Sequence, residues 1–307
     1  MQVTFFKTGT NAILQLLNAS KVRCVIIAED MCPDVMSSII GNGMKVVLAG
    51  VDRIGNCANY REVYLKYLDE NENEKCAVLF SHPYGIYQAS SLSEVQKTVR
   101  TDHVVINDCC LCSPMEIFHK SDLALPSVLS FGYSKVLDLD GGGAALTAGD
   151  LACESDADVI DRNIRRFDEQ YRVVIPLHKS YSFSRFLQLP IFGVLTNFSH
   201  LVFEHKNSLG VFLNKYFASF ECLDSPWRFV VLSKLNRIQV ESLLHTAKKA
   251  GVFFGSNYPL LKCDDVDCVV DFFKTDELGW PINIFTDFRV NANAVEKVAI
   301  IIRGSLV

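Results

Sequence analysis

The stretch LSFGYSKVLDLDGGGAAL, residues 129–146, sets the reading of the chain. A short apolar strand ends at Ser130, a tight loop carries Lys135, and three glycines at 141–143 turn the chain into a second apolar strand. A lysine in a tight loop at a strand end is placed to bond covalently to a carbonyl carbon, provided partial desolvation keeps its amine nucleophilic near neutral pH. An ordinary surface lysine fits the same spacing, and the surroundings must separate the two readings.

Outward from this stretch, apolar runs rich in β-branched residues recur at 22–28 (VRCVIIA), 45–49 (KVVLA), 76–80 (CAVLF), 103–107 (HVVIN), 127–131 (SVLSF) and 143–147 (GAALT). Segments 33–42, 59–70 and 92–99 lie between them with apolar residues three and four apart, the spacing of a helix packed on one face. Continuous apolar strands joined by helical crossovers predict an α/β fold: a large domain whose mostly parallel sheet is flanked by helices on both faces. Ligands bind such sheets outside the carboxyl ends of the strands. Residues 151–215 are aromatic-rich without strand alternation and read as helical, forming subunit contacts, so the large domain is taken as 1–215. From 216 to 307 a small C-terminal α/β domain is expected. Its elements are a strand at 227–233 (WRFVVLS), a helix from Asn236 to Gly251, strands at 252–254 and 267–273, and a last helix at 293–304.

Two further features join the lysine loop. Thr8-Gly9-Thr10-Asn11 leads directly into the helix AILQLLNAS, and a glycine turn at a helix start presents unbonded N–H groups to an anion such as a phosphate. The same residues also suit a plain helix cap. Asp108 follows the strand HVVIN, where a carboxylate can pair with a protonated ring nitrogen and hold it positive. A turn aspartate at a strand end is common too. In order along one chain, a phosphate turn, a strand-end Asp and a strand-end Ser-x4-Lys with glycines after it form a specific combination that the bland readings meet only by three coincidences.

On these residues the sequence resembles the sugar-nucleotide aminotransferases of the DegT/DnrJ/StrS family, enzymes of pyridoxal-phosphate transferase fold type I. Thr8-Gly9-Thr10-Asn11-Ala12 is similar to the family's Ser/Thr-Gly-Thr-x-Ala turn. VVINDCC is similar to its strand-Glu-Asp-Ala-Ala element, SFGYSK to Ser-Phe-x-x-x-Lys, and GGGAALT to Gly-x-Gly-Gly-Ala-x-x-Thr. Tyr258-Pro259 looks like the Tyr-Pro segment of the small domain. The resemblance implies pyridoxal 5'-phosphate as cofactor, with Lys135 as the catalytic lysine that holds it and shuttles the proton. It implies Asp108 on the pyridine nitrogen, and Gly9, Thr10, Asn11 and Ser130 around the phosphate. It further implies transfer of an amino group from a donor such as glutamate to a nucleotide-linked keto-sugar, a homodimer, and a place in surface-polysaccharide or amino-sugar assembly. The chain departs from the pattern at Leu111, where the family carries a Gln or His, and it reaches the Gly-Thr turn several dozen residues sooner than most members do.

Composition narrows the remaining classes. The net charge is −5, and the 30 Lys and Arg residues are scattered among 35 carboxylates without forming a stripe, which predicts no nucleic-acid partner. Apolar runs are only a few residues long and MQVTFFKTGTN lacks the makings of a secretory signal, so a cytoplasmic protein without membrane association is expected. Most of the 11 cysteines sit in apolar runs as small buried hydrophobes. Cys109, Cys110 and Cys112 cluster, but with no second Cys pair and no His pair at zinc spacing they read as structural, and no metal is expected. Three rival readings stand beside the aminotransferase. One is a shortened, catalytically impaired relative that binds the cofactor or a partner, another a lyase or desulfurase, and the third a non-enzymatic adaptor.

Overall fold

The computed structural model describes residues 2–52, 54–113, 117, 125–133, 135–149, 156, 158, 162, 191–256, 280–286 and 290–306. They fall into two compact units, one within Met1–Ile164 and the other within Arg165–Asn257 and Lys274–Val307.

The first unit is built on a seven-stranded sheet of β1 (Gln2–Phe6), β2 (Cys24–Ala28), β3 (Lys45–Ala49), β4 (Cys76–Ser81), β5 (Val104–Asp108), β6 (Ser127–Ser130) and β7 (Gly143–Thr147). Their spatial order is β1-β7-β6-β5-β4-β2-β3. Strands β3, β2, β4, β5 and β6 run parallel, while β7 is antiparallel to both β6 and β1. The continuous apolar runs have their cause in the pleat. Val25 and Ile27 pack with Ala12, Ile13, Leu16 and Leu17 of α1 (Gly9–Ser20) and with Val35 and Ile39 of α2 (Pro33–Gly41). Cys24, Ile26 and Ala28 point the other way, onto Tyr60, Val63, Tyr64 and Tyr67 of α3 (Tyr60–Glu70) and Leu92 and Val95 of α4 (Ala89–Thr98). With both faces covered by helices, neither can be polar.

Sequence patterning anticipates six of these seven strands. It misses β1, whose QVTFF lies at the sheet edge, paired to β7 from Gln2↔Thr147 to Phe6↔Gly143.

The second unit carries an antiparallel sheet in the order β10-β11-β9-β8, formed by β8 (Cys222–Asp224), β9 (Phe229–Leu232), β10 (Gly255–Ser256) and β11 (Pro281–Ile284). Phe229, Val231, Ile282 and Ile284 form its core with α5 (Ile191–Tyr216), α6 (Arg237–Lys249) and α7 (Ala292–Leu306). The sequence reading grouped 151–215 with the first domain, but in the structure Leu209 and Leu213 of α5 pack into this second core. The strand expected at 252–254 is displaced: Val252 and Phe254 are buried and Phe253 is exposed, as alternation requires, yet sheet pairing begins only at Gly255↔Asn283. The strand expected at 267–273 and the Tyr258-Pro259 segment lie outside the described residues. Among the described residues, no helix is long and apolar enough to cross a membrane.

Candidate active site

Four chain ends converge on one edge of the first sheet. Asp108 ends β5 and Ser130 ends β6, and because these strands are parallel both ends lie on the same edge. Gly143 begins the antiparallel β7 and pairs with Phe6 at the end of β1, which places the turn at 7–9 on that edge as well.

The turn and the glycine loop are stitched together through the backbone. The amide of Gly142 donates to Lys7 O at 2.9 Å, that of Phe131 to Gly142 O at 2.9 Å, and that of Gly141 to Phe131 O at 3.1 Å. A Cβ on Gly143 would lie 2.5 Å from the Gly9 nitrogen and 2.6 Å from the Thr8 carbonyl carbon, so only glycine lets the two backbones approach this closely. Gly141 and Gly142 have φ of 135° and 105°, a conformation that side chains rarely adopt. All three glycines therefore have a local reason. Lys135 sits in the same loop, its amide donating to Gly132 O at 3.1 Å, and its side chain is half-buried.

At the start of α1, Thr8 is the N-cap: its Oγ1 accepts from the Asn11 amide at 3.0 Å, and its carbonyl accepts from Ala12 at 3.2 Å. The capping reading of this turn is observed; it uses the Asn11 amide and leaves those of Gly9 and Thr10 without an intrahelical acceptor. Gly9 is pressed against the end of β6, and a Cβ there would meet Ser130 Cβ at 2.8 Å, Ser130 Oγ at 3.0 Å and Cys110 Sγ at 3.1 Å.

Asp108 accepts from the Cys110 amide through Oδ1 at 2.9 Å, and this Asx turn curls the chain back over the end of β5. Burial pushes the Cys110 thiol well above its ordinary pKa and the Asp108 charge adds to this, while Lys135 works in the opposite direction. Cys110 thus stands within electrostatic reach of both residues.

The structure therefore brings Gly9, Asp108, Ser130 and Lys135 together, with Thr10 at the helix start above them. It does not bring the Asn11 side chain in, which is exposed along a surface groove with Leu14, Gln15 and Asn18, one helical face away from Gly9. Sequence reasoning overlooked two participants. Cys110 was read with Cys109 and Cys112 as a structural cysteine, with nothing in the spacing to mark it as facing Gly9 and Lys135. His82 lies 25 residues before Asn107, yet the parallel register of β4 and β5 sets its ring 2.7 Å from the Asn107 amide oxygen, beside Asp108.

No family model matches the sequence, and no curated protein matches it significantly. Solved structures do match. Helicobacter pylori PseC, an aminotransferase involved in the biosynthesis of pseudoaminic acid, superposes with a TM-score of 0.70 at 15% identity, covering 100% of this chain and 87% of that one. A DegT DnrJ EryC1 StrS aminotransferase from Brucella abortus gives 0.69 at 14% identity, covering 100% and 86%. A sugar aminotransferase of Streptococcus pneumoniae in its PLP form gives 0.66 at 13%, covering 99% and 88%. The chain therefore has the fold of the DegT/DnrJ/EryC1/StrS aminotransferases, pyridoxal-phosphate fold type I.

Proposed function

We propose that this protein is a pyridoxal-phosphate-dependent aminotransferase that moves an amino group from an amino acid such as glutamate to a nucleotide-linked keto-sugar, working as a homodimer. The observation that carries the reading is the meeting of Lys135, Asp108, Ser130 and the first turn of α1 at one edge of a parallel sheet. The donor set fits the cofactor in three parts. The Gly9 and Thr10 amides at a helix N-terminus and the Ser130 hydroxyl suit a phosphate dianion. The Asp108 carboxylate suits a protonated pyridine nitrogen, and its Oδ1 bond to the Cys110 amide fixes its orientation. The Lys135 amine suits the cofactor's aldehyde.

When bound, the cofactor supplies an electron sink for the bond to be broken at the substrate's α-carbon. The protein's share is placement and proton handling. Asp108 would keep the ring nitrogen protonated. The Lys135 Nζ would accept the proton leaving the substrate's α-carbon and deliver it again within the same exchange. The Leu111 side chain can supply no hydrogen bond at the position where the family it resembles carries Gln or His.

The test is product formation. The full chain, loaded with pyridoxal phosphate and given glutamate alone, should release one equivalent of 2-oxoglutarate. It should turn over repeatedly once a nucleotide-linked keto-sugar is added, and Lys135→Ala should do neither. Cofactor uptake without 2-oxoglutarate would instead support a cofactor-binding, non-transaminating relative.

A further inference from the structure

Directly behind Asp108 lies a cluster that the aminotransferase reading does not use. Cys109 and Cys112 are 1% and 2% exposed, and the end of β4 brings His82, 2% exposed, alongside them. One ligand atom from each of the three lies within 4.8 Å of the others. The sequence offers half of this arrangement, a Cys-x-x-Cys turn. Its histidine comes from a different strand and is invisible to spacing.

We propose that His82, Cys109 and Cys112 form a metal site for a soft divalent cation of the zinc class, held by two thiolates and one imidazole. Three features of the chain support it.

The two cysteines are joined by a tight turn in which the Cys112 amide donates to Cys109 O at 3.0 Å, so both side chains leave the same side of one loop. A tetrahedral zinc with sulfur at ~2.3 Å and nitrogen at ~2.0 Å requires ligand atoms roughly 3.5–4 Å apart, within reach of the observed spread. Both thiols are reduced.

The histidine is neutral and held in orientation. Its Nδ1 accepts from the Gln88 amide at 3.0 Å, so Nε2 carries the hydrogen and donates to Asn107 Oδ1 at 2.7 Å. Asn107 is itself fixed by donating to Ser127 Oγ at 3.3 Å. A ring nitrogen directed to metal with the other donating to an amide oxygen is the usual arrangement around a metal-bound imidazole. Metal at Nδ1 would keep the Asn107 bond and would have to take the place of the Gln88 amide at that nitrogen. The ring also stacks on Tyr87 with centroids 4.4 Å apart.

The loop that aims His82 adopts a conformation found where structure is over-determined. Tyr84 and Gly85 have φ of 53° and 76°, and a Cβ on Gly85 would sit 2.0 Å from Leu111 O. The 82–85 turn and the 109–112 turn are thereby clamped together.

Metal binding would replace two S–H bonds by two S–metal bonds and release two protons per cation. Its consequence for the enzyme is rigidity: the ion would pin the loop that carries Asp108 and Cys110.

Cobalt(II) is the probe, titrated into the full chain after treatment with a chelator. The expected result is one equivalent of cobalt per chain with a thiolate-to-metal charge-transfer band, release of two protons per metal, and displacement by one equivalent of zinc. Cys109→Ser and Cys112→Ser should abolish the band and His82→Ala should weaken binding at least tenfold, while Cys222→Ser leaves it intact. The wild-type titration needs no variant to fold, so absence of a stoichiometric band there overturns the site. A band that survives in a Cys109→Ser/Cys112→Ser double variant with native circular dichroism overturns it equally.

Discussion

Gly143 is where the turn before α1 and the lysine loop touch, and its missing side chain can be tested directly. In Gly143→Ala the new Cβ meets backbone of the turn that opens α1, at 2.5 Å from the Gly9 nitrogen, and backbone cannot swing aside as a side-chain tip can. The variant should lose about 1–3 kcal/mol in urea unfolding, the usual cost of overpacking a closed contact. Its affinity for pyridoxal phosphate should fall as the Gly9 amide moves. Asp30 gives a second test at this scale. Burial raises its carboxyl to about 6, and the neighbouring Glu29 adds to the shift. The folded chain thus holds this proton more tightly than an unfolded one whose ordinary value is 3.8. The resulting stability is fully present below about pH 4 and is lost as pH rises through about 6. Asp30→Asn should therefore gain about 3 kcal/mol over wild type at pH 8 and nothing at pH 4, as read by thermal unfolding at the two pH values. Lys135, Asp108, Ser130 and Gly9 were legible in the sequence because each follows a strand or opens a helix. Cys110 and His82 were not, because what brings them in is an Asx turn and a strand register, neither of which leaves a periodic trace.

Among the elements, the parallel strands were the easiest to read, since helices on both faces force every residue of a central strand to be apolar. The edge strand β1 and the two-residue β10 gave no signal, and 252–254 alternates like a strand without pairing as one. Helix ends were legible where side chains cap them. Asn236 and Gln239 form a reciprocal capping box at the start of α6: Asn236 Oδ1 accepts from the Gln239 amide at 3.0 Å, and Gln239 Oε1 from the Asn236 amide at 2.9 Å. Asn236→Ala removes one half of the box and should destabilise the second unit by about 1 kcal/mol in chemical denaturation. A change within experimental error would show that water replaces the cap at no cost.

Among the described residues of the molecule, hydrophobic cores lie around the seven-stranded sheet and around Phe229, Ile282 and Ile284. Separate cores allow separate unfolding. Phe229 is fully buried, and Phe229→Ala should cost about 3–5 kcal/mol. Calorimetry should then show a transition of the second unit moved to lower temperature and that of the first left in place. One transition shifting as a whole would mean that the two cores melt as a single unit. The functional account rests on the first core, whose sheet edge gathers the residues proposed to hold the cofactor. Its most direct test is to incubate the full chain with pyridoxal phosphate, reduce with borohydride, and locate the modified lysine by peptide mass spectrometry. The account predicts one cofactor per chain, attached at Lys135. Labelling spread over surface lysines, or none at all, would contradict it.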